Sequence, residues 1–67
     1  MVMYIEYVVV TNLLDEFGFV LDSCEEGSFD FLEDAMAFAE SLPPPYYDEE
    51  TVIYEYINGR CTDKWIV

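Results

Sequence analysis

The sequence predicts an α+β domain in which one helix packs across one face of a four-stranded antiparallel sheet. Three observations predict this class. Residues 1–10 are rich in β-branched and aromatic side chains, residues 31–42 have helical apolar periodicity, and an Asn58-Gly59 pair separates two strand-like runs. The predicted element order is ββαββ, and a right-handed crossover through the helix gives the strand order 2-1-3-4. Residues 1–67 form a single predicted domain, because so short a chain holds one hydrophobic core.

The first two strands form a predicted hairpin. Residues 1–10 contain one charge, Glu6, and residues 19–24 are an apolar run interrupted by Asp22, with turn residues in the segment between them. Because side chains alternate along a strand, Glu6 and Asp22 are expected on one face of the sheet. The residues expected on the opposite face, which the helix covers, are Met3, Ile5, Tyr7, Val9, Phe19 and Leu21.

A helix is predicted after a break at residues 25–28. Asp30 followed three positions later by Glu33 resembles a capping box, so Asp30 is the predicted N-cap. The prolines at 43–45 end the helix, since proline lacks the backbone donor that a helix interior needs. The apolar residues that share one arc of the helix, and are therefore expected to pack on the sheet, are Phe31, Leu32, Ala35, Met36, Phe38, Ala39 and Leu42.

Asn58-Gly59 predicts a two-residue turn between strands at residues 51–57 and 60–67. Uninterrupted pairing from this turn sets the register of the whole hairpin. The expected partners are Ile57 with Arg60, Tyr56 with Cys61, Glu55 with Thr62, Tyr54 with Asp63, Ile53 with Lys64 and Val52 with Trp65. The positions expected to face the helix are Val52, Tyr54, Tyr56, Cys61, Trp65 and Val67, with Asp63 as a misfit among them.

The outer face of the sheet, which no helix covers, is expected to carry an apolar patch with Glu6 and Glu55 beside it. Such a patch is seldom left bare, so it predicts a homodimer through this face. The residues of the expected patch are Tyr4, Val8, Val10, Val20, Ile53 and Ile57.

Composition separates this chain from disordered acidic tails. Its hydrophobic fraction is 54% and its aromatic fraction 18%, which predicts a folded domain. Fifteen Asp and Glu residues face only Arg60 and Lys64, so the formal net charge is −13. Nucleic acids and membrane surfaces are polyanions, so direct binding to either is not expected. The amino terminus lacks the basic region of a signal peptide and no apolar run is long enough to span a bilayer, which favours the cytoplasm.

No catalytic or metal-binding motif is present in the sequence. Cys24 and Cys61 lack a His partner, because the chain contains no His, and the many carboxylates are not arranged around a predicted pocket. The run from Asp48 to Glu50 lacks the alternating ligands and central glycine of an EF-hand loop, so solvated charge is the better interpretation than Ca²⁺ binding. The prediction is a protein without enzymatic activity, metal or cofactor.

Charge density is the feature that points to a function. A compact domain of this length has an expected diameter of about 28 Å. Duplex DNA of that length carries about 16 negative charges, close to the net charge here. Tyr46 and Tyr47 are either part of a binding surface or a cap on the core. The residues predicted to bind a partner are Glu25, Glu26, Asp30, Glu33, Asp34, Glu40, Tyr46, Tyr47, Asp48, Glu49 and Glu50.

In size, extreme acidity and lack of a catalytic motif, the chain resembles the small acidic phage-encoded proteins that inhibit host defence by imitating DNA, including anti-CRISPR proteins and restriction inhibitors. The resemblance is one of class and transfers no individual residue. It implies a partner that binds nucleic acid in a basic groove, such as a CRISPR effector or a nuclease. Two alternatives remain open: an acidic coat that only keeps the domain soluble, and an oligomeric structural or adaptor module.

Overall fold

Within residues 2–67, which the computed structural model describes, four strands and one helix follow one another in the order ββαββ. The strands form one antiparallel sheet in the order β2-β1-β3-β4, so the predicted fold class and strand order are confirmed. Met1, which begins the first predicted strand, lies outside the described residues. The elements are β1 (Ile5–Leu14), β2 (Val20–Phe29), α1 (Leu32–Ser41), β3 (Glu49–Ile57) and β4 (Arg60–Ile66).

The first hairpin is longer than predicted. Residues 11–14 and 25–28, expected to form a turn and a break, are instead strand: 11–14 pair with residues 20–24, and 25–28 pair with residues 8–10. Two β-bulges, one after Val9 and one after Leu13, accommodate the extra residues without ending the pairing. The turn that joins β1 to β2 is therefore only residues 15–19. It contains Asp15 and Gly18, two of the turn-forming residues of the predicted turn.

The N-cap of the helix lies one residue later than predicted. Phe31 is the N-cap, with extended dihedrals of φ −126° and ψ 140°, and its carbonyl accepts the hydrogen bond from Ala35 N at 3.1 Å. No side chain caps this end of α1, so the capping box at Asp30 and Glu33 is wrong. Because a cap residue lies outside the helical arc, the Phe31 side chain is 62% exposed and does not pack on the sheet.

The core lies between α1 and the two central strands. Ala35 and Ala39 form the buried stripe of the helix, and Val9 and Ile53 oppose them from β1 and β3. Small side chains at these helix positions allow the helix backbone to approach the sheet closely. The larger apolar residues that surround this centre are partly buried: Tyr7, Phe29, Leu32, Met36, Phe38, Leu42 and Trp65.

The second hairpin has the predicted turn but not the predicted register. Asn58 and Gly59 both adopt positive φ, of 53° and 82°. Pairing at Ile57 with Arg60 and at Tyr56 with Cys61 is as expected. A β-bulge then shifts every later pair by one residue. The pairs beyond the bulge are Glu55 with Asp63, Tyr54 with Lys64, Ile53 with Trp65 and Val52 with Ile66.

The pairing of Val9 with Ile53 reverses the predicted faces of β3, because directly paired residues lie on the same side of a sheet. Ile53 packs under the helix and is fully buried, so its assignment to the outer face was wrong. Ile57, four residues along the same strand, shares that helix side. Val52, Tyr54 and Tyr56 alternate onto the outer face, not toward the helix as predicted. Trp65 does pack against the core, as predicted.

Three residues of the first hairpin were also assigned wrongly to the core. Met3, Phe19 and Leu21 are all exposed rather than covered by the helix. Met3 precedes β1, Phe19 precedes β2, and Leu21 lies at the bulge where pairing moves from Val20 to Asp22. None of them therefore follows the period-2 alternation on which the prediction depended.

The molecule is elongated, with principal-axis extents of 43 × 23 × 15 Å and a radius of gyration of 12.4 Å. The expected diameter of about 28 Å was wrong, because ten-residue strands are about 33 Å long. In the part of the chain that the structure describes, no helix is long and apolar enough to span a membrane.

Candidate partner-binding surface

The outward side of α1 presents three exposed carboxylates, Glu33, Asp34 and Glu40. They lie away from the buried stripe of Ala35 and Ala39, as the helical periodicity predicted. At 1.5 Å of rise per residue, Glu33 and Glu40 are about 10 Å apart along the helix axis, which equals about three phosphate steps of one DNA strand.

Two further exposed carboxylates border the helix. Glu26 is the bulge residue of β2 and lines a groove beside Leu42 and the prolines that end the helix. Asp30 lies between β2 and the start of α1 and is also exposed. We call the five exposed carboxylates around the helix the acidic surface: Glu26, Asp30, Glu33, Asp34 and Glu40.

The acidic run after the prolines does not form one cluster. Glu49 Oε1 accepts a hydrogen bond from Tyr46 N at 3.0 Å, whereas Glu50 Oε1 accepts one from Asn12 Nδ2 at 3.3 Å. Glu49 and Glu50 therefore occupy opposite faces of β3, and Asp48 is partly buried beside them. Glu49 lines the same groove as Glu26, whereas Glu50 lies on the opposite face, so the run is divided between the two sides of the sheet and does not join the helix carboxylates as one unit.

Glu25 is also separated from the acidic surface. It pairs with Val10 on the outer face of the sheet, opposite the helix. Tyr46 and Tyr47 are 76% and fully exposed, so they do not cap the core. Tyr47 instead lines a cleft of about 550 Å³ beside the loop that joins β1 to β2.

The outer face of the sheet also has a groove that no sequence pattern predicted. This groove of about 500 Å³ lies across β1, β2 and β3, and it combines two carboxylates, two tyrosines and an apolar floor. Tyr4 Oη donates a 3.3 Å hydrogen bond to Glu6 Oε2 at one end. The only sequence signal for it was Glu6, a single charge in an apolar strand. The residues of this outer groove are Tyr4, Glu6, Val8, Val10, Ser23, Glu25, Tyr56 and Gly59.

Glu55 was expected on the outer face but lies on the helix side. Its carboxylate accepts hydrogen bonds from Tyr7 Oη at 2.9 Å and from Thr62 Oγ1 at 2.7 Å. Tyr7 packs against the core and its ring centroid is 6.1 Å from that of Trp65. Glu55 is therefore part of a structural network and is not a free anionic group.

The negative potential of the domain changes the acidity of nearby groups. The charge of Glu6, followed by its hydrogen bond, raises the pKa of the Tyr4 phenol above its ordinary value. Burial raises the pKa of Tyr56, with smaller contributions that include Glu25 and Glu6. Hydrogen bonding to Glu26 raises the pKa of the Cys24 thiol, which disfavours the nucleophilic thiolate.

Neither cysteine is bonded, and both Cys24 and Cys61 are exposed. Among residues 2–67 no group of three or more His, Cys, Asp or Glu side chains is arranged to hold a metal ion. What the described side chains offer is therefore a set of surfaces: an acidic helix side, and a smaller groove that mixes aromatic and carboxylate groups.

The elongated shape also changes the comparison with DNA. The net charge of −13 over a long axis of 43 Å is about one charge per 3.3 Å. A duplex of that length carries about 25 charges, and a single strand, at one phosphate per 3.4 Å, carries about 13. The expected match to a full duplex was wrong, since it assumed a compact sphere, and the charge density is that of one strand. Comparison with known protein families, curated proteins and solved structures found no match to this chain.

Proposed function

We propose that this domain is a non-enzymatic inhibitor that occupies the basic nucleic-acid-binding surface of a partner protein in place of DNA. The observation that carries the proposal is the charge density, about one net negative charge per 3.3 Å of the long axis. This density is close to the phosphate spacing of one DNA strand, about 3.4 Å. The proposed partners are CRISPR effectors, nucleases and similar cytoplasmic proteins, as for anti-CRISPR and anti-restriction proteins.

The acidic surface supports the proposal by its rigidity as well as its charge. Three of its carboxylates stand on a helix anchored by Ala35 and Ala39, and Glu26 lies at a bulge within β2, so most of the charge is held in place before a partner arrives. Preorganised charge raises the association rate with a basic groove and avoids the entropy cost of ordering a flexible acidic tail. The two basic residues can neutralise at most two of the fifteen carboxylates.

The test is capture from a bacterial lysate by the tagged full chain, followed by elution with a short DNA duplex. We expect the captured proteins to leave the domain when DNA is added, because DNA and the domain compete for one basic surface. Elution should also occur as salt is raised, since the contacts are electrostatic. The readout is the identity and amount of each protein released by DNA at constant ionic strength.

Two outcomes contradict the proposal. Captured proteins that stay bound in excess duplex would have a binding surface other than their nucleic-acid site. Recovery of no protein would favour an acidic coat that only maintains solubility. An uncharged polymer of similar size serves as the elution control, because it reproduces crowding without competing for a basic groove.

A second candidate function, an oligomeric structural or adaptor module, is favoured by the apolar side chains that the fold leaves exposed. Phe17, Phe19, Val20 and Leu21 are all more than half exposed at the end of the first hairpin. Contiguous exposed apolar side chains often mark association surfaces. The outer-face homodimer remains a prediction, with Tyr4, Val8, Val10 and Val20 as its residues. In the lysate experiment, such a module would retain its partners in the presence of DNA.

A further inference from the structure

The outer groove has a composition suited to one class of ligand. Val8 and Val10 line its apolar part, and Tyr4 and Tyr56 contribute aromatic rings. Glu6 and Glu25 supply the charge, on strands β1 and β2. Few groups other than an organic cation can use apolar, aromatic and anionic contacts together.

We propose that the outer groove binds a guanidinium group, the side chain of an arginine from the partner protein. Guanidinium is planar and weakly hydrated, stacks on aromatic rings and forms paired hydrogen bonds with carboxylates. The methylene stem of the same side chain fits against Val8 and Val10. An ammonium group is more strongly hydrated and lacks the planar fork, so lysine binds less well in a groove of this kind.

Among residues 2–67, neither basic side chain occupies this groove. Arg60 follows Gly59 at the groove edge but pairs with Ile57, which lies on the helix side of the sheet. Lys64 is on the outer face of β4, where it pairs with Tyr54, and does not line the groove. The outer-face homodimer of the second candidate function competes with this occupant, but it would bring Glu6 and Glu25 of two copies together, and like charges repel, so the groove favours a cation.

The proposal deepens the proposed function, since it names the partner group that the outer face recognises, and it rests on that function for the source of the arginine. Nucleic-acid-binding surfaces are rich in arginine. The two ideas fail separately. If the groove does not bind arginine, release of captured proteins by DNA would still support the proposed function. If DNA releases no captured protein, binding of arginine by the groove would still support the groove assignment.

The experiment is a titration of the ¹⁵N-labelled full chain with N-acetyl-arginine amide, followed by two-dimensional NMR at constant ionic strength. We expect saturable shifts of the backbone amides of Val8, Ser23, Glu25 and Tyr56. The matched probes are N-acetyl-citrulline amide, which has the same shape without the charge, and N-acetyl-lysine amide. Both should bind at least about fivefold more weakly than the arginine probe. Equal binding by either probe overturns the guanidinium assignment.

A matched pair of double variants locates the site. Glu6→Gln with Glu25→Gln should weaken arginine binding by about fivefold or more, whereas Glu33→Gln with Glu40→Gln, an equal change of net charge, should weaken it less than about twofold. The NMR spectrum of each variant checks that it is folded, and the probe comparison in the unmodified chain needs no variant. Equal losses in the two variants, or shifts spread over all acidic segments, would mean nonspecific charge attraction and overturn the proposal.

Discussion

The two faces of the sheet bury neighbouring residues by different means. On the helix side, Val9 and Ile53 are closed off by α1. On the outer face, Val8 and Val52 are 6% and 1% exposed, although no described helix covers them. Side chains other than those of a helix therefore cover Val8 and Val52.

Hydrogen-bonded polar side chains cover the buried valines of the outer face. Tyr54 pairs with Val8, yet its Oη accepts a 3.2 Å hydrogen bond from Nδ2 of Asn12, four residues farther along β1. Its ring must therefore lie along the sheet, over the region of Val52. Asn12 is 1% exposed and also accepts a 2.6 Å hydrogen bond from Ser23 Oγ. The helix side is therefore an apolar core, whereas the outer face is closed by hydrogen-bonded polar groups.

Truncation of adjacent valines of β1 tests whether the two faces of the sheet are packed differently. Val9→Ala should lower the free energy of unfolding by about 2 to 3 kcal/mol, because the helix prevents the cavity from closing. Val8→Ala should lower it by about 1 kcal/mol, since Val8 lines an open groove that water and neighbouring side chains can fill. Urea denaturation followed by Trp65 fluorescence measures both. Equal losses would mean that the outer face is packed as tightly as the core.

A smaller effect is expected where the helix meets β2. A Cβ at Gly27 would lie 3.1 Å from Phe29 Cε2 and 3.3 Å from Phe38 Cε1, two rings whose centroids are 5.1 Å apart. Gly27→Ala should therefore cost about 1 kcal/mol, because the rings must shift and the gain in backbone entropy offsets only part of that strain.

The control for Gly27→Ala is Ser28→Ala, at the next residue, which is exposed and pairs with Val8. Its effect on the same denaturation curve should lie within about 0.5 kcal/mol of zero. If the Gly27→Ala variant is as stable as the Ser28→Ala variant, the packing of Phe29 on Phe38 does not require a glycine at position 27.

The fold could be predicted from the sequence because its strongest signals are local. The apolar periodicity of the helix, the prolines at 43–45 and the Asn58-Gly59 turn each determine one element without reference to the rest. Strand faces could not be predicted as well. Val52 and Ile53 are both apolar, so alternation alone does not say which one meets the helix, and bulges changed the register of both hairpins.

The sequence predicted the exposed carboxylates of the helix but not the outer groove. Exposure of Glu33, Asp34 and Glu40 follows from helical periodicity, and the structure places all three at the surface. The outer groove joins residues from three strands, so neither Tyr56 nor Glu25 can be associated with Glu6 until the pairing is known. Sites that depend on register are beyond sequence reasoning for a single chain.

The central claim, that the acidic surface replaces DNA, is tested most directly by the association rate with the partner that the tagged domain captures. The helix-side variant carries Glu33→Lys, Asp34→Lys and Glu40→Lys. Its control carries Glu16→Lys, Asp22→Lys and Asp63→Lys, which changes the net charge equally at dispersed exposed positions. We predict that the helix-side variant associates about tenfold more slowly than the control at low salt, because local carboxylates steer the encounter. Equal rates for the two variants would contradict the claim.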